Sequence, residues 1–184
     1  MERSRMGEIA LSAGLGFAAG ALLANPARKL AMQGAEAMAT RDWVEALTLE
    51  HRAVQKIFDA LLQTTERDVG KRKSGLAAID HALTKHSMQE EMVIYPALRR
   101  IDEEQAQHLF SDHFEVKTFL SALTFDIDPS SQLWLERLRE FKETLDQHIR
   151  EEEDEIFPAF RARMSEEENA QLTRHMHMQG VKVV

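Results

Sequence analysis

The chain has 184 residues, 43% of them hydrophobic and 29% charged, which suits one soluble globular domain with some sequence left over. A net charge of −8 gives a nucleic-acid partner no electrostatic footprint. With no cysteine, disulfides, zinc knuckles, iron–sulfur clusters and thiol catalysis are excluded, and any metal has to be held by histidine and carboxylate.

Residues 1–40 stand apart. Ile9 to Ala24 is a run of sixteen residues without a charge, with Arg3 and Arg5 before it and Arg28 and Lys29 after it. It is shorter than the ~20 residues a membrane-spanning helix needs. Ser12, Gly16, Gly20 and Ala24 recur every four residues, a stripe of small side chains that lets helices approach closely. Three readings follow: a helix packing on its own chain or on a second copy in a homodimer, a membrane-associated anchor, or a cleaved secretory signal. Glu2, Glu8 and the Asn25-Pro26 ending count against the last. The expected location is cytoplasmic, with membrane contact through residues 9–24 as the alternative.

From residue 41 the pattern is helical. Asp42 can cap a helix start, and Trp43, Leu47, Val54, Ile57, Phe58, Leu61 and Leu62 follow at helical spacings. The glycine- and charge-rich stretch 67–75 reads as a loop. A second helix is predicted from about Leu76 to Pro96, with the proline kinking or ending it. A third covers about 103–125, through Leu109, Phe110, Val116, Phe119, Leu120 and Leu123. After a break at 126–131, a fourth runs from about Gln132 to Pro158. Ser165, followed by Glu166–Glu168, starts a short C-terminal helix. No strand pattern competes. The expectation is an all-α, up-down-up-down four-helix bundle over 41–164, preceded by the apolar segment 1–40 and followed by the helix and tail 165–184.

The bundle carries an internal repeat. His51 and His113 lie 62 residues apart, and each is followed 35 positions later by another histidine, His86 and His148. From 86 to 99 and from 148 to 161, seven of fourteen positions are identical, including the histidine, Glu90 with Glu152, and Pro96 with Pro158. A repeat that keeps His, Glu and Pro while its apolar residues drift is preserving ligands rather than packing. His86 and Glu90 are four apart on one helical face, as are His148 and Glu152. With alternating helix directions the six meet at one level of the core, offering four imidazoles and two carboxylates to two metal ions. Iron suits this ligand set, as do manganese and zinc. Six ligands for two metals leave positions open for a small exogenous ligand.

These residues resemble the hemerythrin-like proteins of the HHE cation-binding type, over about residues 42–160. The resemblance implies a four-helix bundle holding a non-haem di-iron centre, with Glu90 and Glu152 as bridging carboxylates and His51, His86, His113 and His148 as terminal ligands. The chain departs from the oxygen-carrying members, which place a further histidine four residues after the one on the third helix; here that position is Lys117, and its first-half counterpart is Gln55. Their last carboxylate also falls five residues after its histidine, a spacing Glu153 would meet, whereas symmetry with Glu90 favours Glu152. Without the fifth histidine, the implied activity moves from reversible O₂ carriage toward binding or reduction of O₂, peroxide or nitric oxide in a sensing or protective role. A binding or sensing protein is preferred to an enzyme turning over peroxide or nitric oxide. Iron or zinc buffering without redox turnover is the alternative.

The remaining polar residues have plainer readings. Glu91 and Glu153 are expected to face outward or to support a neighbour. Glu50 and Asp112 read as solvated acids on helix flanks, and His81 and His108 as non-ligands. Tyr95 pairs with Phe157 in the repeat, which asks for an aromatic ring there rather than a hydroxyl. His175-Met-His177-Met178 reads as an ordinary helix end rather than a copper tract.

Overall fold

A computed structural model describes residues 41–183, and among them there are helices, turns and bends but no strand. The proposed packing, anchoring or signal role of 9–24 lies outside the described residues. Among those described, no helix is long and apolar enough to cross a membrane.

The side chain of Asp42 caps α1 (Trp43–Leu62), accepting from the backbone N–H of Val44 at 3.0 Å. Asp68 closes the next turn by accepting from the backbone and hydroxyl of Thr65, at 3.0 and 2.8 Å. It is followed by α2 (Val69–Gln89), the π-turn π1 (Glu90–Ile94) and the short α3 (Tyr95–Leu98), which form one continuous rod. Asp102 then caps α4 (Glu103–Ser121), which ends in π2 (Ala122–Asp126). The fourth rod repeats the second, with α5 (Gln132–Glu151), π3 (Glu152–Ile156) and α6 (Phe157–Arg161). A capping box formed by Ser165 and Glu168 opens α7 (Glu166–Gly180). In the bundle α1 neighbours α2 and α5, and α4 neighbours α5, α2 and α3.

Two details differ from the sequence expectation. The stretch 69–75 is the first part of α2 rather than a loop. Its glycines have no positive φ. Gly75 is there for packing: a methyl group on it would lie 2.5 Å from Leu61 Cδ2 of α1, so the two helices meet through its bare backbone. Nor does Pro96 stop its helix. In π1 the N–H of Tyr95 already bonds to the carbonyl of Glu90, five residues back. Pro96 therefore falls in the first turn of a fresh α segment, where a missing N–H is tolerated, and α3 continues to Leu98.

The apolar core is divided. One cluster, around Trp43, Leu47, Tyr95, Leu109, Phe157 and Phe160, also takes in Leu172 and Met176 of α7. The other is built on Phe58, Ile79, Leu123, Trp134, Leu138 and Phe141. Along α1 the split falls between Leu47 and Val54, and along α4 between Leu109 and Val116, with one histidine in each gap.

Each end is closed by polar side chains. At the first, Trp43 Nε1 donates to Asn169 Oδ1 at 2.7 Å, and Asn169 Nδ2 to Asp42 at 2.6 Å, which docks α7 on the start of α1. At the other, the fully buried Arg72 lies over Trp134 and donates to the carbonyls of Pro129 and Ser131, at 2.7 and 3.0 Å, and to the Thr64 hydroxyl. One arginine thus pins both loops at that end. Removing it leaves two carbonyls without their donor and opens a void. Arg72→Ala is expected to cost about 3 kcal/mol, read as a lowered denaturant midpoint. A midpoint within error of the parent would show that water replaces the guanidinium without cost.

Candidate metal centre

Between the two apolar clusters lies a layer made of His51, His86, Glu90, His113, His148 and Glu152. All six are buried, and both glutamates are 0% exposed. Placing six ionisable groups in mid-core is costly unless they are paired or bind a cation.

The two carboxylates organise the layer. Glu90 Oε2 lies 3.1 Å from Nε2 of His86 in its own half of the repeat and 3.3 Å from Nε2 of His113 in the other. Glu152 Oε2 lies 3.4 Å from Nε2 of both His148, in its own half, and His51, in the other. Each carboxylate therefore spans the two halves. His51 and His86 bring their Nε2 atoms to 2.9 Å, and the rings of His113 and His148 stand 5.0 Å apart.

The outer ring nitrogens are held as regularly. His51 Nδ1 meets Glu153 Oε1 at 2.8 Å and His113 Nδ1 meets Glu91 Oε1 at 2.9 Å, both across the halves. Within the halves, His86 Nδ1 meets Glu50 at 3.2 Å and His148 Nδ1 meets Asp112 at 3.3 Å. Behind each acid stands a base: Arg52 on Glu153, Lys117 on Glu91 at 2.5 Å, Lys85 on Glu50 at 2.5 Å, and His108 beside Asp112 at 3.7 Å. A carboxylate on Nδ1 fixes the ring orientation and aims Nε2 inward.

The sequence reading falls short at two of these acids: Glu50 and Asp112 are not solvated flank acids. Glu91 and Glu153 support a neighbour, as expected, and in each case that neighbour is a histidine of the opposite half. The repeat carried a signal for them: Glu91 and Glu153 are identical, and an acid precedes the first histidine in both halves. Of Glu152 and Glu153, it is Glu152 that points inward. His108 stays outside the inward set and meets Asp112 and Glu151 at the rim, and His177 bonds the carbonyl of Arg41.

Tyr95 also differs from expectation. The π-turn sets it five residues beyond Glu90, so its fully buried hydroxyl enters the layer, 2.7 Å from Glu152 Oε1, 3.0 Å from His113 Nε2 and 3.4 Å from Glu90 Oε2. Its repeat partner Phe157 instead stacks on His51, with rings 6.4 Å apart and 11° from parallel. The repeat is thus broken by one oxygen.

The electrostatics of the layer follow from these contacts. Burial disfavours a charged His86, but Glu90 and Glu50 hold its pKa well above the usual value. Burial likewise opposes charge on His113, which Glu90 and Glu91 raise to about 9. Burial also works against ionised Glu90, and His86 with His113 bring it well below the usual carboxylate range. Burial and Glu152 push the Tyr95 phenol well up. Even so, Glu90 Oε1, Glu152 Oε2 and His148 Nε2 have no hydrogen-bond partner. Two carboxylate oxygens without donors beside facing imidazole nitrogens are what a cation would satisfy. Nitrogen and oxygen donors without sulfur fit iron, manganese or zinc.

The family model described as the hemerythrin HHE cation binding domain matches residues 42–160. A DNA nickase of Nostoc sp. (strain PCC 7120 / SAG 25.82 / UTEX 2576) is 30% identical over 128 residues, 69% of this chain and 36% of that protein. The chain thus spans little more than a third of that relative's length. No solved structure matches the chain. The chain belongs to the hemerythrin HHE cation-binding domain family.

Two outcomes follow from this geometry. Glu153→Gln keeps the shape but weakens the anchor of His51, and metal affinity should fall about 10- to 100-fold in a chelator competition; an unchanged affinity would make the outer carboxylate a bystander. The second concerns pH. His113 is raised to about 9, so its charge stabilises the metal-free fold fully below ~6.5 and that stabilisation is lost as pH rises through about 9. Metal binding needs neutral imidazole and strengthens over the same interval. The gap in Tm between metal-loaded and metal-free protein should therefore widen from pH 6 to pH 9, and a constant gap would contradict the ion pairing.

Proposed function

We propose that this member of the hemerythrin HHE cation-binding domain family is a non-haem di-iron protein that binds or reduces O₂, peroxide or nitric oxide, in a sensing or protective role. The observation that supports a paired centre is the position of Glu90 and Glu152, each within 3.4 Å of one histidine from either half. His51 with His86 would hold one ion and His113 with His148 the other, and the two carboxylates would bridge them. When bound, two irons supply redox equivalents and open coordination positions for a small ligand.

The chain's own residues set the conditions. Four neutral imidazoles and two carboxylates leave two divalent cations a net positive charge, which favours an anionic or polarisable ligand. The four outer carboxylates moderate that charge, and the bases behind them keep those acids ionised. Trp43, Phe157 and Phe160 pack on the same side of the layer and keep bulk water from it. Tyr95 places the hydroxyl nearest the inward donors. Nothing on an acidic chain favours carrying over the DNA-directed activity named for the Nostoc protein.

The test is metal content per chain together with the near-UV and visible spectrum, on protein purified without chelator and then reduced anaerobically. Two irons and absorption that bleaches on reduction support the reading. Two zincs and no colour, unchanged by anaerobic addition of iron(II), would overturn it in favour of metal buffering. His86→Ala should lower metal content and Tm together, and full metal content in that variant would remove His86 from the centre.

A further inference from the structure

We propose that Tyr95 is a seventh protein ligand, binding through its phenolate oxygen the cation held by His113 and His148, so that the two positions of the centre are chemically unequal. The inference rests on the metal-centre reading above and deepens it.

The geometry is that of one coordination sphere. Donors in neighbouring positions around an ion, each ~2.0–2.2 Å from it, are separated by about 3 Å. The Tyr95 hydroxyl lies 3.0 Å from His113 Nε2, 2.7 Å from Glu152 Oε1 and 3.4 Å from Glu90 Oε2. Glu90 Oε2 and His113 Nε2 are themselves 3.3 Å apart. A residue serving the layer only from outside would approach Nδ1 of a histidine, as Glu50, Glu91, Asp112 and Glu153 do. Tyr95 instead approaches His113 on its inward nitrogen, Nε2.

The position is also built for the ring. Tyr95 is fully buried, and Phe110 meets it edge-on at 5.3 Å. The phenol donates to Glu152. On coordination the O–H bond breaks, its proton leaves to solvent, and the oxygen lone pair goes to the metal; no electron is transferred. A bound cation reverses the local preference that keeps the phenol protonated. At the other position Phe157 has no oxygen to offer, so that ion has one protein donor fewer and is the better placed to accept an incoming ligand.

The chain contains a single tyrosine, so any tyrosinate signal belongs to Tyr95. The experiment adds iron(II) alone, without oxygen, to metal-free full-length protein, then admits air. Iron content, the visible spectrum and the resonance Raman spectrum are recorded for the parent and for Tyr95→Phe. The expected result is a phenolate-to-iron(III) charge-transfer band with tyrosinate ring modes in the parent, both absent from Tyr95→Phe while its iron content per chain is retained. Bound iron in the parent with no tyrosinate modes would overturn the proposal and leave the centre standing. Failure of the parent to take up iron would overturn both. Should Tyr95→Phe fail to fold, the parent spectrum decides by itself, because no other residue can supply the signal.

Discussion

The constraint on which the rest depends is that six ionisable side chains occupy the middle of the bundle. An apolar core could have run unbroken from Trp43 to Trp134; a polar layer instead splits it into two clusters. The layer holds because every imidazole is anchored through its outer Nδ1 on an acid of a neighbouring helix, which turns Nε2 inward toward the shared carboxylates. Histidines from all four long helices take part, so the layer ties the bundle laterally where apolar packing is interrupted. The Arg72 latch at one end and the Trp43–Asn169–Asp42 chain at the other close the two apolar compartments that remain.

The π-turns are the local device that lets one helix serve two purposes. Glu90 and Glu152 each begin one, and each sits four residues after its histidine on regular α-helix, which directs both side chains to the same face. Directly afterwards the wider turn rotates the chain, so that the next glutamate reaches a histidine of the opposite half and the aromatic five positions on returns over the layer. A strictly regular helix would advance by about 3.6 residues per turn and carry that aromatic away from the carboxylate. Such turns are frequent at functional sites, and here π1 and π3 each complete inner and outer contacts of the layer within a single rod.

Much of this was legible in the sequence. The repeat identified the six inward residues, and their spacing placed them at one level. What was not legible depends on departures from ideal geometry. Periodicity assumes a uniform helix, so it could not show that the hydroxyl of Tyr95 and the ring of Phe157 come back to the centre. Gly70 and Gly75 read as breakers because glycine's cost in a helix is a local property, while the reason for Gly75 is the closeness of Leu61 on another helix. Which neighbour Glu91 and Glu153 support was hidden because each partners a histidine far away in sequence. Adjacency to a ligand suggests an outward face, and only the packing of the halves shows what that face meets.

That crossing of partners has a consequence for what the chain needs to be. His51 completes its contacts with Glu153 and Glu152, and His113 with Glu91 and Glu90, so each half finishes the other and neither holds a closed set of its own. The connection through residues 99–102 carries none of these contacts. Two copies of a half-length chain, related by a dyad, would supply the same inward histidines and glutamates and an acid on every Nδ1; the bases behind those acids and the oxygen that distinguishes Tyr95 from Phe157 do not follow the dyad. In its pattern of dependence the domain is a homodimer written as one polypeptide. In a single chain, one side of the dyad can carry the oxygen of Tyr95 while the other keeps Phe157.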